Sequence, residues 1–141
     1  MAIKIEKKKM VVLVVDDDTA AVSALSQLLN AEGLAVLVAL EGQQAITITE
    51  NITPDIILMD AKMPVMDGFD ACLALKSNPD LEHIPVIFMT GLSDTEHVIK
   101  GFEVGGIDYI TKPINHNELL VRMRAHLASA QSTMRAREAL D

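Results

Sequence analysis

A single cysteine, Cys72, occurs in the 141 residues, so no internal disulfide and no cysteine-rich metal cage can form. A buried free thiol in a reducing, cytosolic setting is the expectation. Positive charge is also in short supply: 12 Lys and Arg stand against 20 Asp and Glu, a formal net charge of -8. Direct nucleic-acid binding needs a basic face that displaces counterions from phosphates, and this balance argues against it. It leaves room for an acidic pocket that binds cations. No apolar run approaches the roughly 20 residues that cross a bilayer, so no membrane association is expected. The amino-terminal MAIKIEKKK has the charge of a signal peptide, but the apolar run behind it, Met10 to Val15, is shorter than an h-region and stops at three aspartates. Export is not expected, and the lysines at 7 to 9 read as a solvated lead-in. The first strand is followed by no Gly-rich loop, which removes a nucleotide-binding reading. His83, His97, His116 and His126 are scattered along the chain and give no histidine metal site.

What is present is 50% hydrophobic residues, enough for one domain with a real core. The run Met10 to Val15 (MVVLVV) has the β-branched composition of a central parallel strand. Asp16, Asp17 and Asp18 end it. Thr19 then reads as an N-cap, with Val22, Leu25, Leu28 and Leu29 at helical spacing until Gly33. Leu34 to Leu40 forms a second strand, and Glu41-Gly42 turns into a helix carrying Ala45, Ile46 and Ile48 up to Asn51. Asp55 to Met59 reads as a strand buried on both faces, with Asp60 at its carboxyl end. Asp67-Gly68 opens a helix with Phe69, Cys72, Leu73 and Leu75 on its apolar face, broken at Ser77 to Asp80. Pro85 to Thr90 is the fourth strand. Ser93 can cap a fourth helix with Val98, Ile99, Phe102 and Val104 inward and Gly105-Gly106 as its end. Ile107 to Thr111 is the fifth strand, and Asn115 starts a last helix that runs nearly to the carboxyl terminus.

Strand and helix alternate five times, which implies a parallel sheet covered on both faces with right-handed crossovers. The predicted fold is α/β, a flavodoxin-like doubly wound sheet of order 2-1-3-4-5 with an extended final helix. In that order the first and third strands are neighbours at the switch point, where ligands bind. Asp16, Asp17 and Asp60 would converge there, with Thr90 and Lys112 from the next two strand ends. Asp60 taken alone reads more readily as an ordinary cap of the following loop than as a chemical group. The other two acids turn the reading towards chemistry. Three carboxylates in one pocket repel each other and make an incomplete site without a cation. All-oxygen ligation suits Mg²⁺ or Mn²⁺. A divalent ion beside Lys112 and the Thr90 hydroxyl is an arrangement for a phosphoryl group, and a central carboxylate can accept one as an aspartyl phosphate.

The motifs VVDDD, DAKMPVMDG, MTG and YITKP, in that order, closely resemble the receiver domain of two-component response regulators. The resemblance runs from Met10 to the start of the last helix. By it, Asp60 is the phosphoacceptor, Asp17 and Asp60 with the backbone carbonyl of Lys62 ligate Mg²⁺, and Asp16 contributes through water. Asp18 is a loop or helix-start acid. Thr90 and Tyr109 match the switch pair, Lys112 matches the motif lysine, and Lys112-Pro113 is expected to be cis. The implied donor is a histidine kinase or phosphotransfer domain. The domain would assist its own phosphorylation and dephosphorylation without being a turnover enzyme, and would repack the face made by the fourth helix, fifth strand and fifth helix. Lys62 and Leu92 would flank the path of attacking water, with Leu92 slowing hydrolysis.

On this reading residues 1–9 are the lead-in, 10–128 the receiver domain and 129–141 a helical extension. Leu120, Leu127 and Met134 recur every seven residues with Met123 and Ala130 between them, so the extension could link to an output domain beyond residue 141 or pair with a second copy. Two other classes compete. A haloacid-dehalogenase-like phosphatase resembles the chain at Asp16 and Asp18, but Ala20 stands where that family has Thr or Val and no cap domain is evident. A receiver-like interaction module that is never phosphorylated usually lacks one or more of the acids, and here all are present.

Overall fold

The computed structural model describes residues 9–91 and 95–140, with side chains through residue 133. Its sheet is parallel throughout: β1 (Val11–Val15), β2 (Ala35–Ala39), β3 (Ile56–Asp60), β4 (Val86–Thr90) and β5 (Asp108–Thr111) lie in the order β2-β1-β3-β4-β5. The helices α1 (Thr19–Ala31), α2 (Gly42–Thr49), α3 (Gly68–Lys76), α4 (Thr95–Glu103) and α5 (His116–Leu140) alternate with the strands. This is the predicted order and fold.

Because successive strand side chains point to opposite faces, each central strand feeds two cores. Leu13, Val15, Ile57, Met59, Val86 and Phe88 pack on one face with Ala45 of α2 and Phe69, Cys72 and Leu75 of α3. Val12, Val14, Ile56, Leu58, Ile87 and Met89 pack on the other with Leu25 and Leu29 of α1 and Leu119 and Met123 of α5. β3 and β4 are buried along their whole length, which is why their sequences read as unbroken apolar runs.

Most boundaries agree with the pattern in the sequence. Gly33 has φ of +83° and closes α1, Gly105 with φ of +108° follows α4, and Asn115 accepts the Glu118 N–H at 3.0 Å as the cap of α5. The β-branched run in α2 remains helical because its threonine hydroxyls turn back onto the helix: Thr47 donates to the Gln43 carbonyl at 3.1 Å and Thr49 to that of Ala45 at 3.0 Å.

Three expectations are corrected. The cap of α1 is Asp18, whose Oδ1 accepts from the N–H groups of Ala20 and Ala21 at 3.0 and 3.3 Å, and Thr19 is the first helical residue. Leu73 lies on the solvent side of α3, 54% exposed. Ile99 and Phe102 of α4 are 50% and 51% exposed, while Gly101 is the residue buried. α4 sits at the β5 margin of the sheet and meets it along a narrow line through Gly101, so most of its apolar residues have no sheet to cover. Ser93 and Leu92 lie outside the described residues, as does the side chain of Met134.

Candidate functional site

β1 and β3 are hydrogen-bonded neighbours with Val15 opposite Met59. One residue further on, Asp16 and Asp60 face each other across the strand ends, both buried. Asp17 follows in the β1–α1 loop and is exposed. One carboxylate oxygen of each of the three lies within 4.8 Å of the other two. The predicted acidic triad therefore converges.

Lys112 reaches in from beyond β5, where its N–H donates to the Thr90 carbonyl at 2.9 Å. Its Nζ donates to Asp16 Oδ2 at 2.8 Å and stands 3.4 Å from Asp60 Oδ2. Burial works against its charge, but the Asp16 hydrogen bond and the nearby Asp60 outweigh that and hold the ammonium above its usual range. The other oxygens are also engaged: Asp16 Oδ1 accepts the Asp18 N–H at 2.9 Å, and Asp60 Oδ1 accepts the Lys62 N–H at 3.3 Å. These partners do not neutralise the pocket. Burial, then the negative charge of Asp16, push the Asp60 carboxyl up to about 6 against the opposing pull of Lys112 and the Lys62 N–H. Three carboxylates against one ammonium form a site short of positive charge, built from hard oxygen donors. That donor set fits Mg²⁺ or Mn²⁺ and not zinc.

The loop after β3 holds Asp60 in place through its backbone. Gly68 donates to the Ala61 carbonyl at 2.8 Å, and a Cβ on Gly68 would collide with the Asp60 carbonyl oxygen and come within 2.9 Å of Ala61 Cα. Only glycine permits this approach. Between them, Val65 has φ of 67° in a γ-turn closed by the Met66 N–H on the Pro64 carbonyl at 2.8 Å, with its side chain fully exposed. Left-handed backbone at a β-branched residue is strained.

Thr90 ends β4, buried, and Tyr109 is half-buried on β5. The register pairs Phe88 with Tyr109 and Thr90 with Thr111, so Thr90 and Tyr109 are diagonal neighbours on one face of adjacent strands. The Tyr109 ring packs on Phe88 with centroids 6.4 Å apart, and α4 crosses both rings at Gly101, where a Cβ would stand 3.2 Å from Phe88 and 3.5 Å from Tyr109. The Lys112-Pro113 peptide is cis.

The response regulator receiver domain family matches residues 12–124 of the chain. The chain belongs to that family. Among curated relatives, the response regulator PleD of Caulobacter vibrioides is 43% identical over 114 residues, 81% of this chain and 25% of PleD. The DNA-binding response regulator MtrA of Mycobacterium tuberculosis is 38% identical over 116 residues, 82% of this chain and 50% of MtrA. The receiver domain thus spans a quarter to a half of these relatives. Among solved structures, a CheY-like response regulator receiver domain protein from Methanospirillum hungatei superposes with a TM-score of 0.85 at 27% identity, covering 89% of this chain and 99% of that one. The signal receiver domain of a histidine kinase from Syntrophus aciditrophicus gives 0.79 at 34% identity, covering 85% and 91%.

The sequence reading missed the Gly68 approach and a charge cluster behind the switch strand. Asp108 accepts from Arg122 at 2.9 and 3.1 Å and lies 2.8 Å from His126 Nε2, tying β5 to α5. Burial works to raise the Asp108 carboxyl, but the His126 contact, the Tyr109 N–H and Arg122 together bring it below the usual range. Arg122 and His126 at i and i+4 of α5 are a visible signal for a shared carboxylate, though their partner is not visible in the sequence.

Proposed function

We propose that this receiver domain is a phosphoacceptor module of a two-component system, taking a phosphoryl group onto Asp60 from a histidine kinase or phosphotransfer domain. The observation that carries the proposal is the meeting of Asp60 with Asp16, Asp17 and Lys112 at the carboxyl ends of β1, β3 and β5. Asp17, Asp60 and the backbone carbonyl of Lys62 would hold Mg²⁺, with Asp16 bound through water. The ion, when bound, supplies positive charge to phosphoryl oxygens and to the crowded carboxylates. Lys112 is within reach of the same oxygens and stays charged across the physiological range. In the transfer an Asp60 oxygen attacks phosphorus as the bond to the donor nitrogen breaks. The elevated carboxyl of Asp60 must be ionised to act, a condition met above about pH 6 and eased by any cation at the site.

The phosphoryl group adds roughly -1.5 to -2 charge units. Thr90 turns its hydroxyl to the new oxygens, and Tyr109 takes up the space released, repacking the α4-β5-α5 face. Moving such an equilibrium from 1:99 to 99:1 takes about 5.5 kcal/mol of differential interaction. The domain assists this chemistry on itself and turns over no separate substrate, and its setting is the cytoplasm. The relatives' greater length supports a fused output domain, and the continuous α5 to Leu140 supports a helical link to it or to a second copy. Incubation with acetyl phosphate and Mg²⁺ tests the reading: the wild-type domain gains a hydroxylamine-labile phosphoryl group and Asp60→Asn gains none. Equal labelling of the variant would exclude Asp60 as the acceptor.

A further inference from the structure

α4 rests on the sheet through a residue that has no side chain. Gly101, the buried residue of that helix, sits above the Phe88 and Tyr109 rings, which are paired across β4 and β5 with centroids 6.4 Å apart. Two glycines close over Phe88, and they differ in kind. A Cβ on Gly106 would stand 2.6 Å from Phe88 Cε2 and 2.8 Å from the Gly101 carbonyl oxygen, so packing forbids it outright. A Cβ on Gly101 would stand 3.5 Å from Tyr109 Cδ2, an ordinary contact, and 3.2 Å from Phe88 Cδ2, which a ring shift of a few tenths of an ångström relieves. Alanine is also the better residue for a helix interior, because glycine gives up more backbone freedom on folding. This packing by itself does not call for glycine at 101.

We infer that Gly101 is a positioning residue for the switch: its missing side chain keeps clear the space that the Tyr109 ring enters when it turns towards Thr90. The inference rests on the phosphoacceptor and switch reading given above. β5 is the margin of the sheet and Thr90 is the diagonal neighbour of Tyr109 on β4, so an inward turn carries the half-buried ring beneath α4. Phe88 has little room to yield, since the Phe69 ring packs against it with centroids 5.1 Å apart and Gly106 closes over its edge. A methyl group at 101 would touch the tyrosine ring where it now stands and overlap it once it moved in. Contacts closer than van der Waals distance are steeply repulsive, and a packed core relieves them poorly. Gly101→Ala should therefore hold the ring outward while leaving the side chains of Asp60, Thr90 and Lys112 as they are.

Tyr109 is the only tyrosine of the chain and there is no tryptophan, so intrinsic fluorescence reports this ring alone. The test is acrylamide quenching of that emission before and after incubation with acetyl phosphate and Mg²⁺, on wild type and Gly101→Ala, with phosphoryl incorporation measured on the same samples. Before phosphorylation the two proteins should be quenched alike. Afterwards wild type should lose quenching as its ring is buried. In Gly101→Ala the inward-to-outward ratio should be lower by about tenfold, the shift expected of one overpacked methyl group, so the loss of quenching per phosphoryl group incorporated should be smaller. Equal losses in the two proteins overturn the role of Gly101 while leaving the acceptor and the switch. So does a Gly101→Ala protein that fails to fold, or one whose quenching already differs before phosphorylation, because glycine would then serve the resting packing alone. Wild type that takes the phosphoryl group with no change in quenching overturns the switch and this inference together. Wild type that takes none overturns the acceptor reading and this inference with it.

Discussion

Asp60→Asn should stabilise the cation-free protein at neutral pH. The Asp60 carboxyl is raised from 3.8 to about 6, mainly by burial and then by Asp16. The shift is about two pH units, and at 1.36 kcal/mol per unit the ionised carboxylate costs the fold up to about 3 kcal/mol. The sign follows from the direction. Below 3.8 the acid is neutral in both folded and unfolded chains and the cost is absent; between 3.8 and 6 it grows; above 6 it is complete. Asn keeps the shape and an oxygen for the Lys62 N–H while removing the charge. Urea unfolding followed by circular dichroism in EDTA should give equal stabilities for wild type and Asp60→Asn near pH 3.5 and a variant more stable by up to about 3 kcal/mol at pH 7. Adding Mg²⁺ to about ten times its dissociation constant should return roughly 1.4 kcal/mol to wild type and less to the variant. A variant no more stable at pH 7, or a gap that widens on acidification, would refute the electrostatic account of the pocket.

Gly68→Ala should destabilise the domain by about 3 kcal/mol or more, because the new Cβ meets backbone at Asp60 and Ala61 that cannot move aside; wild-type thermal stability in that variant would contradict the close approach. Val65→Gly should raise stability by about 1 kcal/mol through relief of left-handed backbone at an exposed position, read as a higher urea midpoint with an unchanged slope. Asp108→Asn should cost about 1 to 2 kcal/mol at pH 7 by loosening β5 from α5. Since the Asp108 carboxyl is lowered on folding, its contribution is present above 3.8 and lost as pH falls through the lower folded value, so the two stability curves should converge in acid.

The fold was legible because burial on both faces leaves a clear mark: β1, β3 and β4 are unbroken apolar runs, and the turns after them carry aspartate, glycine or proline. The acids at those strand ends could be placed together from strand order alone, since parallel strands deliver their carboxyl ends to one edge. The resemblance to the receiver family then supplied the roles proposed above for Asp60 as acceptor and Asp17 as metal ligand, which periodicity could not suggest. α4 was misjudged because its hydrophobicity is real while its sheet contact is narrow; Ile99 and Phe102 stay in solvent and Gly101, with no side chain to advertise it, makes the contact. Gly68 was visible only as a turn residue, because its need for a missing Cβ arises from the backbone of Asp60 and Ala61, eight and seven residues earlier in the chain. Asp108 could not be paired with Arg122 and His126 before β5 and α5 were brought together. The cap of α1 fell one residue before the expected threonine because Asp18, in a run of three acids, is the one whose carboxylate faces the helix start while Asp16 turns inward to Lys112.

The most direct test of the phosphoacceptor claim is to phosphorylate the domain with acetyl phosphate and Mg²⁺, reduce it with borohydride and map its peptides by mass spectrometry. An aspartyl phosphate at residue 60 is reduced to homoserine at that position and nowhere else. Homoserine at residue 16 or 17, or a phosphoryl group that resists reduction and sits on another side chain, would contradict the assignment.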